Sequence, residues 1–151
     1  DYADRAARFV ARTRDFAELL VGIGFTPPGG AVPARVTYQD ACHLKHGQKI
    51  SAQPRQLLRA IPSLEFIEMR DSDMCCGSAG VYNLTQPAMS QEVLGWKTAN
   101  ITGTRAAIVV ASNPGCAIQI KQGLRAAGDP AEVLHLAELL ERSYREGATP
   151  A

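Results

Sequence analysis

The chain has 151 residues, 46% hydrophobic and 21% charged, with thirteen glycines and nine prolines, an ordinary globular composition long enough for one core of useful size. Collagen-like, coiled-coil and wholly disordered architectures are excluded. Sixteen lysines and arginines face fifteen acidic residues, a formal charge of +1, so no field would gather a polynucleotide or an anionic lipid surface, and nucleic acid is not expected as a partner. No apolar run approaches the roughly 20 residues that span a bilayer. The first thirty residues also lack the layout of a secretory signal, so a soluble chain without a transmembrane segment is expected. Asp1 stands where a methionine would open a complete chain, which reads as a piece of a longer protein.

In chain order, Phe9, Phe16, Leu20 and Ile23 recur at helical spacing within residues 3–24, with Arg5, Arg8 and Arg12 between them. That pattern predicts one amphipathic helix with a solvated arginine face. The run from Thr26 to Pro33 contains three prolines and two glycines and cannot continue a helix. It separates an N-terminal helix and linker, residues 1–33, from a domain at 34–146, and a frayed tail is expected at 147–151. Beyond the linker, strands are predicted at Arg35–Gln39, Leu64–Met69, Ala106–Ala111 and Glu132–His135. Helices are predicted at Gln53–Ala60, about Ala88–Ile101, Ala117–Ala127 and Leu136–Arg145. Strands alternating with helices call for parallel crossovers. The expected fold is therefore α/β in three layers, with an about four-stranded, mainly parallel sheet covered by helices on both faces and preceded by an amphipathic helix.

Each cysteine or cysteine pair follows a predicted strand: Cys42 the first, Cys75 and Cys76 the second, Cys116 the third. In open parallel sheets the carboxyl ends of the strands share one edge, where ligands bind, so these positions can converge. His135 ends the fourth predicted strand and would face the same edge. Gly77, Gly80 and Gly115 allow tight turns around a bulky group, and successive amide N–H groups in such turns suit anionic sulfur. An adjacent cysteine pair with two distant singles fits a reducing compartment better than a disulfide framework. Thiolates are soft ligands for zinc or iron-sulfur clusters, and adjacent cysteines suit a multi-iron cluster better than one tetrahedral ion. Buried small hydrophobes and a structural zinc site remain the competing readings. Lys45, His46, Lys49 and Arg55 read either as a basic cluster that offsets cluster charge or meets a partner, or as an ordinary solvated loop and helix start, and Trp96, at helical spacing from Val93 and Asn100, as core or interface packing.

Three ordered motifs, Val36 to Leu44, Cys75-Cys76-Gly77-Ser78-Ala79-Gly80 and Asn113-Pro114-Gly115-Cys116, resemble the cysteine-rich CCG domain of heterodisulfide-reductase-like proteins. With the stretches Lys45 to Ile50 and Gln53 to Leu58, the chain looks most like the carboxyl-terminal copy in glycolate oxidase iron-sulfur subunits. The resemblance spans roughly residues 34–145. It implies a metal site on Cys42, Cys75, Cys76 and Cys116 holding a 4Fe-4S cluster, with zinc as the alternative. It further implies a place in an oxidoreductase complex that oxidises glycolate, passing electrons from a flavin-containing subunit. The remainder of such a chain would carry ferredoxin-type clusters. The location implied is cytoplasmic or, through the complex, peripheral at the inner face of the membrane. Neither a Cys-x-x-Cys-x-x-Cys run nor a flavin-binding glycine fingerprint is present, so this piece alone is not expected to oxidise glycolate.

Two positions depart from the family pattern. Gln119 stands where Cys-x-x-Cys would end, and Ala41 where a proline usually precedes the first cysteine. The first departure favours an ordinary four-cysteine cluster or zinc over the non-cubane cluster of heterodisulfide reductases. His43 and His135 are the candidates for a substitute ligand or an outer hydrogen-bonding role. The alternatives carried forward are a cluster-free or zinc-stabilised docking domain and thiol-disulfide chemistry of the heterodisulfide type.

Overall fold

Short runs of β-branched residues punctuated by turns build a sheet buried on both sides. In a computed structural model describing residues 1–148, β1 (Arg35–Gln39), β2 (Glu65–Phe66), β3 (Ile108–Ala111) and β4 (Glu132–Leu134) pair in the order β2-β1-β3-β4, every pair parallel. Val36 lies beside Phe66 and Ile108, and Val110 beside Leu134. Alternate residues of a strand face opposite sides, and two cores follow from that period. Val36, Tyr38, Ile108 and Val110 pack with Ala17 of α2 (Phe16–Ile23), Leu57 and Leu58 of α3 (Ala52–Arg59), and Leu136, Leu139 and Leu140 of α7 (Leu136–Ala148). On the other side, Val109, Ala111 and Val133 pack with Ile101 of α5 (Pro87–Thr104) and Ile120 and Leu124 of α6 (Pro114–Ala126). The second core also contains Met69, Cys76 and Cys116. The architecture is the three-layer α/β fold expected.

The N-terminal region corrects one expectation: residues 3–24 form two helices. α1 (Ala3–Arg12) buries none of its residues and ends at Thr13. A new helix then starts because Asp15 accepts from the Ala17 N–H at 2.9 Å while Glu18 accepts from the Asp15 N–H at 3.3 Å, a reciprocal cap that apolar periodicity does not register. Gly24, at φ +75°, ends α2 in the left-handed conformation. The linker is then fastened to α7, where the Gly30 N–H donates to the Ser143 carbonyl at 3.1 Å, Ser143 Oγ donates to the Gly30 carbonyl, and Tyr144 donates to the Thr26 carbonyl. A Cβ at Gly30 would stand 2.2 Å from the Ser143 oxygen, so only glycine permits that approach. α7 extends to Ala148; residues 149–151, the rest of the expected frayed tail, lie outside the described residues.

Other boundaries differ for local reasons. β2 is shorter than the predicted Leu64–Met69 because Met69 leaves the sheet to join the second core, whereas Phe66 packs on the first. α6 begins at Pro114, three residues earlier than predicted, since proline suits a first-turn position and Asn113 caps the helix; Cys116 therefore lies in the first helical turn. A π-helical turn, His43–Gln48, and a short α4 (Tyr82–Thr85) occupy stretches read as loops. The buried stripe of α5 includes Ser90, Leu94, Lys97, Thr98 and Ile101, largely polar, so Trp96 does not pack inward and is 53% exposed. Leu57→Ala, at a fully buried position between the sheet and its helices, is expected to lower unfolding free energy by about 2–5 kcal/mol, read from denaturant midpoints.

Candidate metal centre

Three loops leave the carboxyl ends of β1, β2 and β3, and each delivers cysteine. After β1 the chain passes through Asp40 and Ala41 to Cys42, which is exposed at the start of the π-helical turn. After β2, residues 69–74 lead to Cys75, half-buried, and Cys76, buried. After β3, Asn113 caps α6 by accepting from the Cys116 N–H at 3.1 Å, which fixes Cys116 in the first turn of that helix. All four cysteines are free thiols.

A buried ion cluster joins the first two loops. Asp40 is 1% exposed, and Arg55 of α3 donates to both its oxygens, at 2.9 and 2.7 Å. Ser72 Oγ donates to Asp40 at 2.8 Å, and the Asp40 N–H donates to the Ser72 carbonyl at 3.1 Å. Arg55 also grips Glu68 and the Ser51 carbonyl, while Lys45 bridges Asp40 and Asp73 at 3.8 and 3.5 Å. Burial works against ionised Asp40, but the hydrogen bonds from Arg55 and Ser72, with the charges of Arg55 and Lys45, outweigh it and hold the carboxyl below its ordinary value. The third loop joins through Tyr38, whose hydroxyl donates to Ser112 Oγ at 3.4 Å; burial pushes that phenol up to about 12.

The Cys75–Cys76 turn is shaped by backbone geometry. Gly77 sits at φ +89°, and a Cβ there would come 2.4 Å from the Ser90 carbonyl oxygen. Its N–H donates to Cys75 Sγ at 3.3 Å, and its carbonyl accepts from Ser90 Oγ at 2.8 Å. Cys76 and Cys116 are both buried in the second core. The Cys116 thiol, acting against burial and aided by the N–H groups of Ser78 and Cys76 and the charge of Lys97, holds Cys76 below an ordinary thiol. The Cys116 thiol is raised by the neighbouring Cys76 sulfur, by burial, and by the charges of Cys76, Cys42 and Cys75.

The remaining candidates are placed as follows. His43 is exposed beside Cys42. His135 follows β4, where its Nδ1 accepts from the Ala137 N–H at 3.1 Å and its ring lies 6.2 Å from that of Phe16, so its contacts belong to α2 and α7. Gly80 takes φ +65° in open space, and a Cβ at Gly115 would meet Ser78 and Asn113 at 3.2 Å. Gln119 is buried and donates to Ser90 Oγ at 3.1 Å, which continues to the Gly77 carbonyl. At the position of the missing thiol, an amide therefore braces the Cys75–Cys76 turn.

The donor chemistry fits a thiolate-held group, with four thiols, amide N–H groups and a buried cation at one sheet edge. Among the described residues, no three histidine, cysteine or acidic side chains are gathered around a single-ion position. Composition and periodicity place Arg55 on a solvated face and do not single out Asp40, Ser72, Ser90 or Lys97. Lys97 carries one legible signal, its helical spacing with Leu94 and Ile101; the partners of the others are set by the tertiary fold.

A parallel α/β sheet with thiols on three successive carboxyl-end loops defines a cysteine-rich domain. The CCG cysteine-rich domain model matches residues 36–121, and the chain belongs to that family. It is 43% identical over 144 residues to the probable glycolate oxidase iron-sulfur subunit of Bacillus subtilis, covering 93% of this chain and 32% of the relative. It is 28% identical over 148 residues to lactate utilization protein A of Oceanobacillus iheyensis, covering 97% and 60%. It is 35% identical over 116 residues to a fumarate reductase (CoM/CoB) subunit of Methanothermobacter marburgensis, covering 76% and 24%. The chain thus spans between about a quarter and three-fifths of these relatives. The first of these relatives is named as an iron-sulfur subunit and the third as a reductase subunit.

Two outcomes are expected from this geometry. Gly77→Ala combines a positive φ with a backbone clash and should cost more than about 1 kcal/mol, exceeding Gly80→Ala, where space is open; paired thermal melts check the order. Arg55→Met strands a buried carboxylate and should cost about 3–5 kcal/mol at neutral pH. Because the Asp40 pKa is depressed on folding, the unfolded chain takes up that proton first. The contribution is therefore complete above the unfolded value of about 4 and is lost as pH falls through the lower folded value. Acid titration of wild type against Asp40→Asn, which has no proton to gain there, should show the steeper loss in wild type.

Proposed function

We propose that the thiolates of Cys42, Cys75, Cys76 and Cys116 hold an iron-sulfur cluster of the 4Fe-4S type. The chain then serves as the cysteine-rich, electron-transfer part of the iron-sulfur subunit of a glycolate oxidase-type complex. The observation that carries this reading is the placement of four free cysteines on the three loops that leave one sheet edge, with Cys76 and Cys116 buried in the core below it. Bound there, the cluster supplies one-electron carriage. The protein's own part is to position thiolates, shield Cys76 and Cys116 from water, and present the site at its exposed side through Cys42. The partners in this reading are a flavin-containing subunit and the remainder of the protein's own chain, in the cytoplasm. Among the described residues, no helix is long and apolar enough to cross a membrane.

A second reading is favoured by Gln119, whose amide is already engaged with Ser90: a docking domain of the same complex that is cluster-free or zinc-held. Iron, zinc and sulfide analysis with a visible spectrum, on protein purified without oxygen, separates the two. Iron with iron-thiolate absorption that disappears in Cys76→Ser is the expected result. Stoichiometric zinc, or neither metal in a folded chain, would establish the second reading in its place.

A further inference from the structure

We propose that Lys97 is a positioning residue of the thiolate site, its buried ammonium latching the loop that carries Cys75 and Cys76 onto α5 and standing, against Met69, as a counter-charge in the core that also holds Cys76. The latch follows from geometry alone, whereas the counter-charge role rests on the cluster reading above.

Lys97 is fully buried, a state lysine almost never adopts without a charged partner. Here its Nζ donates to three neutral acceptors, the Asp71 carbonyl at 2.7 Å, the Ser72 carbonyl at 3.3 Å and Met69 Sδ at 3.9 Å. No ion pair to it is formed among the described residues. All three acceptors belong to the segment running from the end of β2 to the cysteine pair. Asp71 within that segment holds φ +50°, an unfavourable conformation for a residue with a Cβ, and the Asp71 carbonyl receives the shortest of the three bonds. The segment is thereby pinned from two directions, by Lys97 on α5 and by Arg55 through Asp40 and Ser72.

The position also argues for function. Lys97 lies on the α5 stripe with Leu94 and Ile101, where methionine or leucine would bury without any desolvation cost. Retaining an ammonium there has a purpose if negative charge gathers nearby. Burial depresses the Lys97 pKa to about 8, and the largest opposing influence is the charge of Cys76, followed by Asp73, Asp71 and Asp40. Four thiolates on a cluster would concentrate negative charge at that sheet edge. A buried cation favours the more reduced, more negative state, so its charge raises the reduction potential.

The experiment compares wild type, Lys97→Met and Lys97→Gln in the intact protein. Hydrogen exchange on the metal-free protein reads the latch. Lys97→Met should exchange at least tenfold faster over residues 71–77, with protection of β1 and β3 unchanged, and Lys97→Gln, which keeps donors, should lose less. A redox titration of the iron-loaded protein, followed through the signal that Cys76→Ser removes, reads the counter-charge, and both variants should shift to a more negative midpoint. Unchanged exchange over 71–77 in Lys97→Met overturns the latch, and an unchanged midpoint overturns the counter-charge role. Should Lys97→Met fail to fold, Lys97→Gln decides both points by the same readouts. A wild type that binds no iron counts against the proposed function, while the exchange comparison still decides the latch.

Discussion

Parallel strands cannot be joined by tight hairpins, so every strand here must be followed by a segment that climbs back across the sheet. That constraint places the exits of β1, β2 and β3 at one edge, and the chain has put its cysteines in those exits. Convergence of residues far apart in sequence is thus a property of the sheet before it is a property of any side chain. The strand order β2-β1-β3-β4 sets β1 between the two strands whose exits lead to Cys75–Cys76 and to Cys116.

Loops delivered to one edge still need to be held there. Two buried charges do this in different ways. Asp40 receives the Arg55 guanidinium in a two-pronged grip, an ion pair fully matched in the interior. Lys97 donates to carbonyl oxygens and a thioether, and among the described residues no carboxylate pairs with its charge. Both act on residues 69–74, one through Ser72 Oγ and the other through the Asp71 and Ser72 carbonyls. A third brace, from Gln119 through Ser90 to the Gly77 carbonyl, holds the turn immediately after the cysteine pair. The loop is irregular in backbone yet tied at three successive points.

The two faces of the sheet divide the work. The face toward α2, α3 and α7 is an apolar core whose contacts stabilise the fold. The face toward α5 and α6 includes Cys76 and Cys116 and a helix stripe containing Ser90, Lys97 and Thr98. Of the buried polar groups on that side, Ser90 and Gln119 brace the turn after the cysteine pair.

The class of fold was legible in the residues alone, because strand-like β-branched runs alternate with helical stretches between clear glycine and proline breaks. The family was legible too, because three motifs in order carry cysteine, glycine and proline at recognisable positions. Some local features escaped that reading: the Asp15 and Glu18 cap, the early start of α6 at Pro114, and the π-helical turn arise from hydrogen bonds that periodicity does not encode. Which face of α5 is buried was settled in three dimensions, since Lys97 and Ser90 gain their partners only where the fold brings the loop carbonyls and Gly77 to them. The same is true of Arg55, solvated in appearance and internal in fact, because its acceptors Asp40 and Glu68 are brought to it from 15 and 13 residues away. Apolar burial is recorded along the chain as a repeating pattern, whereas a buried charge is explained only by the partner that the fold brings to it.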